Sequence, residues 1–181
     1  MELQQELNWH MRAVLIDWLI EVQWKSKLLP ETLFLTVNII DRFLSRRVVS
    51  LVKLQLVGLA ASLLASKYEE ILSPTIANFV YFSDNAYKEI ELLKAERYML
   101  HVMNFNMAYP NPLVYLRRIS KADSYDIRHR TLAKYLMEIT LLDHRFIPCP
   151  PSMVSAIGLF LARQMLQGGE WVLQLFHLYL Y

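Results

Sequence analysis

Two charged side chains stand in otherwise apolar stretches of this sequence, where they could make a specific polar contact. Lys67 is the only charged residue between Lys53 and Glu69. Glu96 belongs to a short charged cluster, residues 94–97, inside a second apolar stretch. One interpretation is a solvated ion pair, which contributes little to stability. The other is a polar anchor that fixes the orientation of a partner, and the spacing leaves both open.

Three cations in the second half of the chain could converge on an anion. Arg130 and Lys134 lie four residues apart on one predicted helix and therefore share a face. Arg117 on the preceding helix could join them, and three converging cations would bind a phosphate. The alternative is ordinary surface charge, since residues 111–150 carry seven basic and four acidic groups.

The predicted helix over residues 8–26 is apolar on two opposite sides. One side carries Met11, Val14, Leu15, Trp18 and Val22. The other carries Ala13, Ile16, Leu19, Ile20 and Trp24. Such a helix is usually buried on both sides, but the first side could instead be an exposed groove for an apolar peptide. Glu21 at its rim would then attract a basic residue of that peptide.

Patterns for catalysis or cofactor binding are missing from the sequence. Its four glycines form neither a GxGxxG nor a GxxxxGKS/T loop, and its five histidines include no HExxH. The single cysteine, Cys149, permits no intrachain disulfide and no CxxC zinc site. The adjacent carboxylates Glu69 and Glu70 point apart on a helix. We therefore expect a protein that is not an enzyme and that holds no cofactor or metal.

The composition favours an ordered, soluble intracellular protein. With 19 Lys and Arg against 17 Asp and Glu, the net charge is +2, and 55% of the residues are hydrophobic. This balance excludes a disordered chain and gives no strong field for nucleic acid or a membrane. The first residues lack the features of a signal peptide, and the longest apolar run, 56–65, is too short to span a bilayer. We expect no membrane partner.

Prolines and capping residues divide the chain into helices, so we expect an all-α protein. The predicted helices cover residues 8–26, 30–47, 51–69, 74–82, 86–103, 112–121, 126–144 and 150–167. Ser73 and Asn111, each before a proline, are suitable N-caps. Residues 109–112 are the best candidate for a linker, and an apolar tail follows at 171–181.

The two parts of the chain resemble each other weakly. Gly58 and Gly158 are each followed by a leucine and lie 100 residues apart. This spacing indicates a duplicated helical unit in which each glycine permits a close helix crossing. Chance similarity between two leucine-rich stretches is the alternative. If the duplication is real, the first unit has five helices and the second only three, so the second is truncated.

The motifs together resemble those of the cyclin family. Residues 11–19, MRAVLIDWL, are similar to the opening motif of the cyclin box, and residues 40–44, IDRFL, follow at the expected distance. The rest of the family's hallmark set consists of Leu56, Lys67 and Glu96. Residues 116–118 and 131–138 resemble those of B-type, mitotic members, and the sequence as a whole is similar to those of fungal members.

The resemblance implies the cyclin fold, with a five-helix first cyclin box followed by a truncated second box. It assigns residues 1–10 to the remnant of an N-terminal segment and residues 11–109 to the N-terminal cyclin box. Residues 110–181 would form an incomplete C-terminal cyclin box, since from residue 169 the sequence departs from the family pattern.

The resemblance also implies a regulatory subunit that binds and activates a cyclin-dependent Ser/Thr protein kinase, in the nucleus and cytoplasm, and controls mitotic progression. The kinase-binding residues would be Lys67, Tyr68, Glu69, Glu70, Glu96, Leu100 and Phe105. A hydrophobic patch for substrates and inhibitors with Arg-x-Leu motifs would consist of Met11, Val14, Leu15, Trp18, Glu21, Leu54 and Gln55. Phosphorylated partners would bind Arg117, Arg130 and Lys134, whereas Arg12 and Asp41 would form a buried structural pair.

Two other functions fit the same fold class. Cyclin-fold transcription factors bind DNA through basic helices of the second repeat, and the basic bias of residues 111–150 favours that alternative. Such proteins do not need Lys67, Glu96 or the patch, so nucleic acid is not the expected partner. A helical adaptor would bind peptides through the patch without activating a kinase.

Overall fold

The computed structural model describes residues 1–122 and 124–166, and this part of the chain consists of α-helices, two short 3-10 turns and loops. The helices are α1 (Trp9–Ser26), α2 (Pro30–Leu44), α3 (Leu54–Glu69), α4 (Ile76–Phe82), α5 (Glu89–Val102), α6 (Pro112–Ala122), α7 (Ile127–Leu142) and α8 (Pro151–Met165). The 3-10 turns are Leu51–Lys53 and His144–Phe146. The described residues contain no β-strand, and the predicted all-α class is confirmed. The predicted tail at 171–181 lies outside the described residues.

The chain divides into two compact units, Met1–Tyr109 and Pro110–Tyr181. The first unit holds the five helices α1 to α5, and the described part of the second holds the three helices α6 to α8. Within the second unit α8 packs against both α6 and α7. Each unit is therefore organised around one central helix, which is α3 in the first and α8 in the second.

Short polar side chains begin several of the helices, as the sequence predicts. The side chain of Asn8 accepts a backbone N–H of the first turn of α1, and Asn111 does the same for α6. The predicted cap of α4 is wrong, because Ser73 does not cap it. Thr75 and Asn78 instead form a capping box there, in which each side chain bonds the other residue's backbone N–H.

Helix α3 supplies much of the core of the first unit. Of its 16 residues, 12 are buried, and it packs against α1, α2 and α5. The stretch Leu51–Glu69 is long and apolar enough to cross a membrane by length and composition alone, but 67% of its apolar window is buried inside the protein. Burial on nearly all sides is what an apolar helix at the centre of a globular unit requires.

The two glycines that lie 100 residues apart both sit where helices approach closely. A Cβ atom at Gly58 in α3 would come within 2.9 Å of Leu15 Cδ1 in α1. A Cβ atom at Gly158 in α8 would come within 2.8 Å of Met137 Cγ and 3.3 Å of the Ala133 carbonyl oxygen, both in α7. The predicted close crossings at both glycines are thus confirmed, because an added Cβ would contact the facing helix at each of them.

Candidate functional site

Lys67 and Glu96 meet at the surface of the first unit. Lys67 lies in the last turn of α3, and its Nζ is 2.6 Å from Glu96 Oε1 in α5. The two ends of the pair differ in exposure, since the Lys67 side chain is 45% exposed and the Glu96 side chain only 9%. The structure thus holds a nearly buried carboxylate under an ammonium group that remains open to a partner.

Large apolar side chains lie exposed close in sequence to this pair. Tyr68 is exposed directly after Lys67, and Ile71, in the loop that follows α3, is 99% exposed. Leu100 lies one helical turn beyond Glu96 and is half-buried, whereas Phe105 after the end of α5 is exposed. A charged pair close in sequence to exposed apolar side chains has the composition of an interaction surface rather than of a solvated face.

The turn that carries Phe105 is held by two arginines of the α2 end. Arg46 donates from Nη1 to the Val102 carbonyl oxygen at 2.9 Å, and Arg42 donates from Nη2 to the Asn106 carbonyl oxygen at 2.7 Å. Burial lowers the pKa of Arg42, and the neighbouring positive charge of Arg46 lowers it further. These two bonds satisfy carbonyl groups at the C-terminal end of α5, and sequence reasoning did not identify them.

Glu70, which the resemblance placed among the kinase-binding residues, has a structural role in this chain. Its Oε1 accepts the Leu29 backbone N–H at 2.7 Å and the Thr32 hydroxyl at 2.5 Å. Leu29 is the N-cap of α2 and has no capping side chain of its own. Glu70 therefore anchors the start of α2 to the end of α3, because it bonds the N-cap residue and a side chain of the first turn. The only local sign that α2 needs a bond from elsewhere in the chain is an apolar residue, Leu29, at the position before Pro30, where a capping side chain is usual.

Glu69 lies in a locally acidic environment beside it. Burial raises the pKa of the Glu69 carboxyl, and the neighbouring charges of Glu31 and Glu70 raise it further. A cationic partner group would relieve that repulsion. Glu69 therefore has the electrostatics of a residue that favours a positively charged partner.

Arg12 and Asp41 form a second ion pair, which joins α1 to α2. Arg12 Nε donates to Asp41 Oδ1 at 2.6 Å and Nη2 donates to Oδ2 at 2.7 Å, so the pair is bidentate. The Arg12 side chain is 2% exposed. Burial raises the pKa of the nearby Tyr109 hydroxyl to about 12, and the Asp41 charge contributes to that increase. The pair lies inside the scaffold, where the resemblance placed it.

The apolar stripe of α1 is only partly exposed. Val14 is 56% exposed, and Met11 and Trp18 are half-buried. Glu21 is exposed and pairs with Lys25 at 3.5 Å, and Gln55 is half-buried. These residues can face a partner.

Two of the predicted patch residues are core residues instead. Leu15 is buried against Gly58, and Leu54 is buried at the start of α3. Val22, at the end of the same stripe, is buried too, whereas Trp24 on the predicted core side is 78% exposed. The prediction failed here because a helical stripe gives a direction around the helix axis but not the depth at which each side chain ends.

The predicted phosphate-binding cations occupy two helices of the second unit. Arg117 is exposed on α6, and Arg130 and Lys134 are half-buried on α7. Among the described side-chain atoms, Arg130 Nε is buried and has no hydrogen-bond partner, and the Arg130 guanidinium lies 5.9 Å from the centre of the Tyr125 ring. A buried charged donor without an acceptor costs free energy, so the hydrogen-bonding capacity of the Arg130 guanidinium is not fully used within the described residues.

Metal-binding side chains do not cluster in the part of the chain that the structure describes. Within residues 1–122 and 124–166, no group of three or more His, Cys, Asp or Glu side chains could hold a metal ion.

Comparison with known proteins bears on both units. The family model for the cyclin N-terminal domain matches residues 1–108, and that for the cyclin C-terminal domain matches residues 110–181. The G2/mitotic-specific cyclin cdc13 of Schizosaccharomyces pombe is 62% identical over 177 residues, which are 98% of this chain and 37% of that protein. The G2/mitotic-specific cyclin-B of Emericella nidulans is 58% identical over 96% of this chain and 36% of its own length.

A solved structure shares the fold. The crystal structure of a viral cyclin from herpesvirus saimiri superposes with a TM-score of 0.88, at 20% sequence identity, over 95% of this chain and 77% of that one. The chain spans little more than a third of the length of the curated relatives named above. The predicted resemblance to B-type mitotic cyclins of fungi is confirmed. Because family models match both of its units, this chain belongs to the cyclin family.

Proposed function

We propose that this chain is the non-catalytic regulatory subunit of a cyclin-dependent protein kinase and acts in mitotic cell-cycle progression. The observation that carries the proposal is the Lys67–Glu96 pair, with its carboxylate nearly buried and its ammonium half-exposed. Exposed Tyr68 and Phe105 lie close to it in sequence. The relatives described as G2/mitotic-specific cyclins support the same function.

The activation would work by a shift in the population of kinase conformations. A lone kinase of this class rests with its αC helix swung away and its catalytic Lys–Glu ion pair broken. A partner that binds the αC-in conformation more tightly shifts the equilibrium toward the state in which the ATP-phosphate clamp is assembled. The cyclin would contribute that difference in affinity and no chemistry of its own.

Substitution of the charged pair tests kinase activation. The chain is mixed with a monomeric cyclin-dependent kinase, and phosphorylation of histone is measured. Lys67→Ala or Glu96→Ala should abolish activation, since removing one partner of an interfacial charge pair costs ~2–5 kcal/mol. Lys94→Ala, an exposed lysine on α5, is the matched control and should activate normally. Full activation by the Lys67/Glu96 double variant would refute the proposal.

The same purified chain can be used to test the DNA-binding alternative. A cyclin-fold transcription factor would bind duplex DNA with an affinity that falls steeply with salt and would leave the kinase inactive. We expect kinase activation and no such binding.

We further propose that the exposed part of the α1 stripe recruits substrates. An Arg-x-Leu peptide would bury its leucine beside Val14 and Trp18 and place its arginine near Glu21. Burial of one leucine side chain contributes ~1.5–3 kcal/mol, so the affinity of the docking site should be modest. Half-buried Met11 and Trp18 beside exposed Val14 support this surface.

A pair of variants on the same helix tests docking. Trp18→Ala should lower phosphorylation of Arg-x-Leu substrates while sparing short peptides that lack the motif. Leu15→Ala, on the buried side of the stripe, should instead destabilise the fold by ~2–5 kcal/mol and lower both activities together. If Trp18→Ala lowers both activities and the melting temperature as Leu15→Ala does, the docking surface does not exist.

We also propose that Arg130 and Lys134, with Arg117, receive phosphorylated partners. The buried Arg130 Nε without an acceptor favours this site over ordinary surface charge. Arg130→Ala with Lys134→Ala should weaken binding of a phosphopeptide but not of its unphosphorylated form, and Arg128→Ala, an exposed neighbour on α7, should change neither. An equal loss of binding affinity for both peptides would mean that the three residues are only general surface charge.

A further inference from the structure

Residues 4–7, which precede α1, are bonded to the loop between α2 and α3, and we call these residues the strap. Gln4 Nε2 donates to the Leu44 carbonyl oxygen at 2.6 Å and to the Arg47 carbonyl oxygen at 2.7 Å. Gln4 Oε1 accepts the Val49 backbone N–H at 3.0 Å. One side-chain amide therefore bonds three backbone groups, one at the end of α2 and two in the loop after it, that lie 40 to 45 residues away in sequence.

A second strap residue holds the 3-10 turn at the end of the same loop. Glu6 Oε2 accepts the Leu51 backbone N–H at 2.9 Å. Leu51 is the first residue of that turn, and Ser50 before it provides no side-chain cap. Glu6 therefore supplies the missing cap, and its negative charge suits the N-terminal end of a helical turn. Leu7 is buried at 6% exposure and fixes the strap to the unit.

The same 3-10 turn is also held by residues at the beginning of α5 and just before it. The Tyr87 hydroxyl donates to the Val52 carbonyl oxygen at 3.1 Å. Lys53 Nζ lies 3.7 Å from Glu91 Oε1 and 5.8 Å from the centre of the Tyr87 ring. The turn is thus held by two separate segments, the strap and residues 87–91.

The position of the turn decides where α3 begins. Lys53 is the N-cap of α3 and makes no capping bond with its side chain, while the Leu54 N–H donates back to the Leu51 carbonyl oxygen. The first turn of α3 is therefore oriented by the 3-10 turn and not by a cap of its own. Leu54 and Gln55, the patch residues of α3, lie in that first turn.

We infer that Gln4 and Glu6 are positioning residues for substrate docking. They touch no substrate and act by holding the 3-10 turn, which orients the first turn of α3 and with it Gln55, a residue of the proposed docking surface that also includes Val14 and Trp18 of α1. The inference rests on the proposed docking function. It gives the segment before α1 a role that the sequence did not indicate, because the prediction treated residues 1–10 as a remnant.

Two adjacent glutamines provide a matched test. Gln4→Ala removes the three bonds, whereas Gln5→Ala removes an exposed side chain of the same type next to it. With the intact chain bound to its kinase, Gln4→Ala should raise KM for an Arg-x-Leu substrate by about three- to tenfold, the size of one net hydrogen bond. The kcat for that substrate, and all constants for a short peptide without the motif, should stay at the wild-type values, as for Gln5→Ala.

Amide hydrogen exchange on the chain alone gives a readout that does not depend on the kinase. Gln4→Ala should speed exchange at Val49, and Glu6→Ala should speed it at Leu51, whereas Glu6→Gln keeps an acceptor and should restore protection. If Gln4→Ala unfolds the chain, the two variants Glu6→Ala and Glu6→Gln provide the same test.

The possible failures are distinguishable. A wild-type chain that shows no preference for Arg-x-Leu substrates overturns the docking function and this inference with it. A wild-type preference with equal KM for Gln4→Ala and Gln5→Ala overturns the inference alone. Unequal exchange at Val49 together with an unchanged KM would mean that the strap stabilises the loop without positioning the docking surface, and would also overturn it.

Discussion

The two ion pairs of the first unit are similar in sequence spacing and in length, but they differ in which partner is exposed to solvent. Each joins residues that lie 29 positions apart in sequence, and each has a shortest contact of 2.6 Å. In the Arg12–Asp41 pair the cation is 2% exposed and the anion 21%. In the Lys67–Glu96 pair the cation is 45% exposed and the anion 9%. The first pair is closed to a partner, whereas the second leaves its cation available.

The choice of cation matches this difference. The planar guanidinium of Arg12 bonds both oxygens of Asp41 and is suited to a buried site, because its fork satisfies the carboxylate without water. The ammonium of Lys67 is a compact, well-hydrated charge on a flexible stem, so it can exchange one acceptor for another. An ion pair of a given length therefore says little about function until the exposure of each end is known.

The largest expected effect is at the closed pair. Arg12→Ala should lower the free energy of unfolding by ~3–5 kcal/mol, because it leaves the Asp41 carboxylate partly buried and unpaired. Arg12→Lys keeps the charge but loses the second hydrogen bond, so its loss should fall between those of wild type and Arg12→Ala. Urea denaturation followed by circular dichroism measures all three, and a loss below about 1 kcal/mol for Arg12→Ala would remove the distinction between the pairs.

The next effect concerns the residue that ties the end of α3 to α2. Glu70→Ala should cost ~1–3 kcal/mol of stability, because it removes both hydrogen bonds that anchor the start of α2 to the end of α3. Glu69→Ala is the matched control, since Glu69 is the adjacent carboxylate with a raised pKa, and it should not destabilise. Thermal denaturation of both variants decides the matter. Equal effects at the two positions would mean that Glu70 does not anchor the start of α2.

A smaller loss of stability is expected at the open pair. Lys67→Ala should cost about 1 kcal/mol or less, because the half-exposed lysine covers the Glu96 carboxylate and its removal lets water reach that carboxylate, whereas removal of buried Arg12 does not open Asp41 in the same way. The same variant should lose kinase activation, so stability and activity separate at this pair and fall together at Arg12. Parallel melting curves and kinase assays on Lys67→Ala and Arg12→Ala compare the two directly. A melting temperature for Lys67→Ala as low as that for Arg12→Ala would show that both pairs are scaffold.

The smallest effect at neutral pH is that of Tyr109 beside Asp41. Its pKa is raised to about 12 in the folded chain, whereas an unfolded tyrosine titrates near 10. Because the folded pKa is the higher one, the stabilising contribution is complete below about pH 10 and is lost as the pH rises from there to about 12. Ultraviolet titration of the wild type and of Tyr109→Phe should differ by one late-ionising tyrosine, and the pH dependence of stability should be the same in both below about pH 10 and diverge above it.

The helices were predictable because their signals are local. Prolines at helix starts, capping residues and a 3.6-residue period all act within a few positions, and α1 begins within one residue of its predicted start. The 3-10 turn at Leu51–Lys53 replaced the predicted first turn of α3, since the sequence cannot reveal that Glu6 and Tyr87 bond that segment.

The site was predictable only in part, for the same reason. The isolated charges Lys67 and Glu96 stood out against their apolar surroundings, and the pair forms. The bonds from Glu70 to α2 and from Gln4 to the loop before α3 join residues about 40 positions apart, with no local pattern to mark them. Leu15 and Leu54 were predicted to belong to the exposed patch but are buried. Their burial depends on how closely α1 approaches α3 at Gly58.

The close approaches at the two glycines also have a consequence for genetics. At Gly58 an added methyl group would meet the flexible end of Leu15, which can move aside. At Gly158 it would meet Met137 and also the backbone oxygen of Ala133, which cannot. Overpacking of this kind costs ~1–3 kcal/mol and lowers a melting temperature by several degrees in a small unit. Gly158→Ala is therefore the substitution of choice for a temperature-sensitive allele. Met137→Ala should partly suppress its effect, because it removes the side chain that the added methyl group meets.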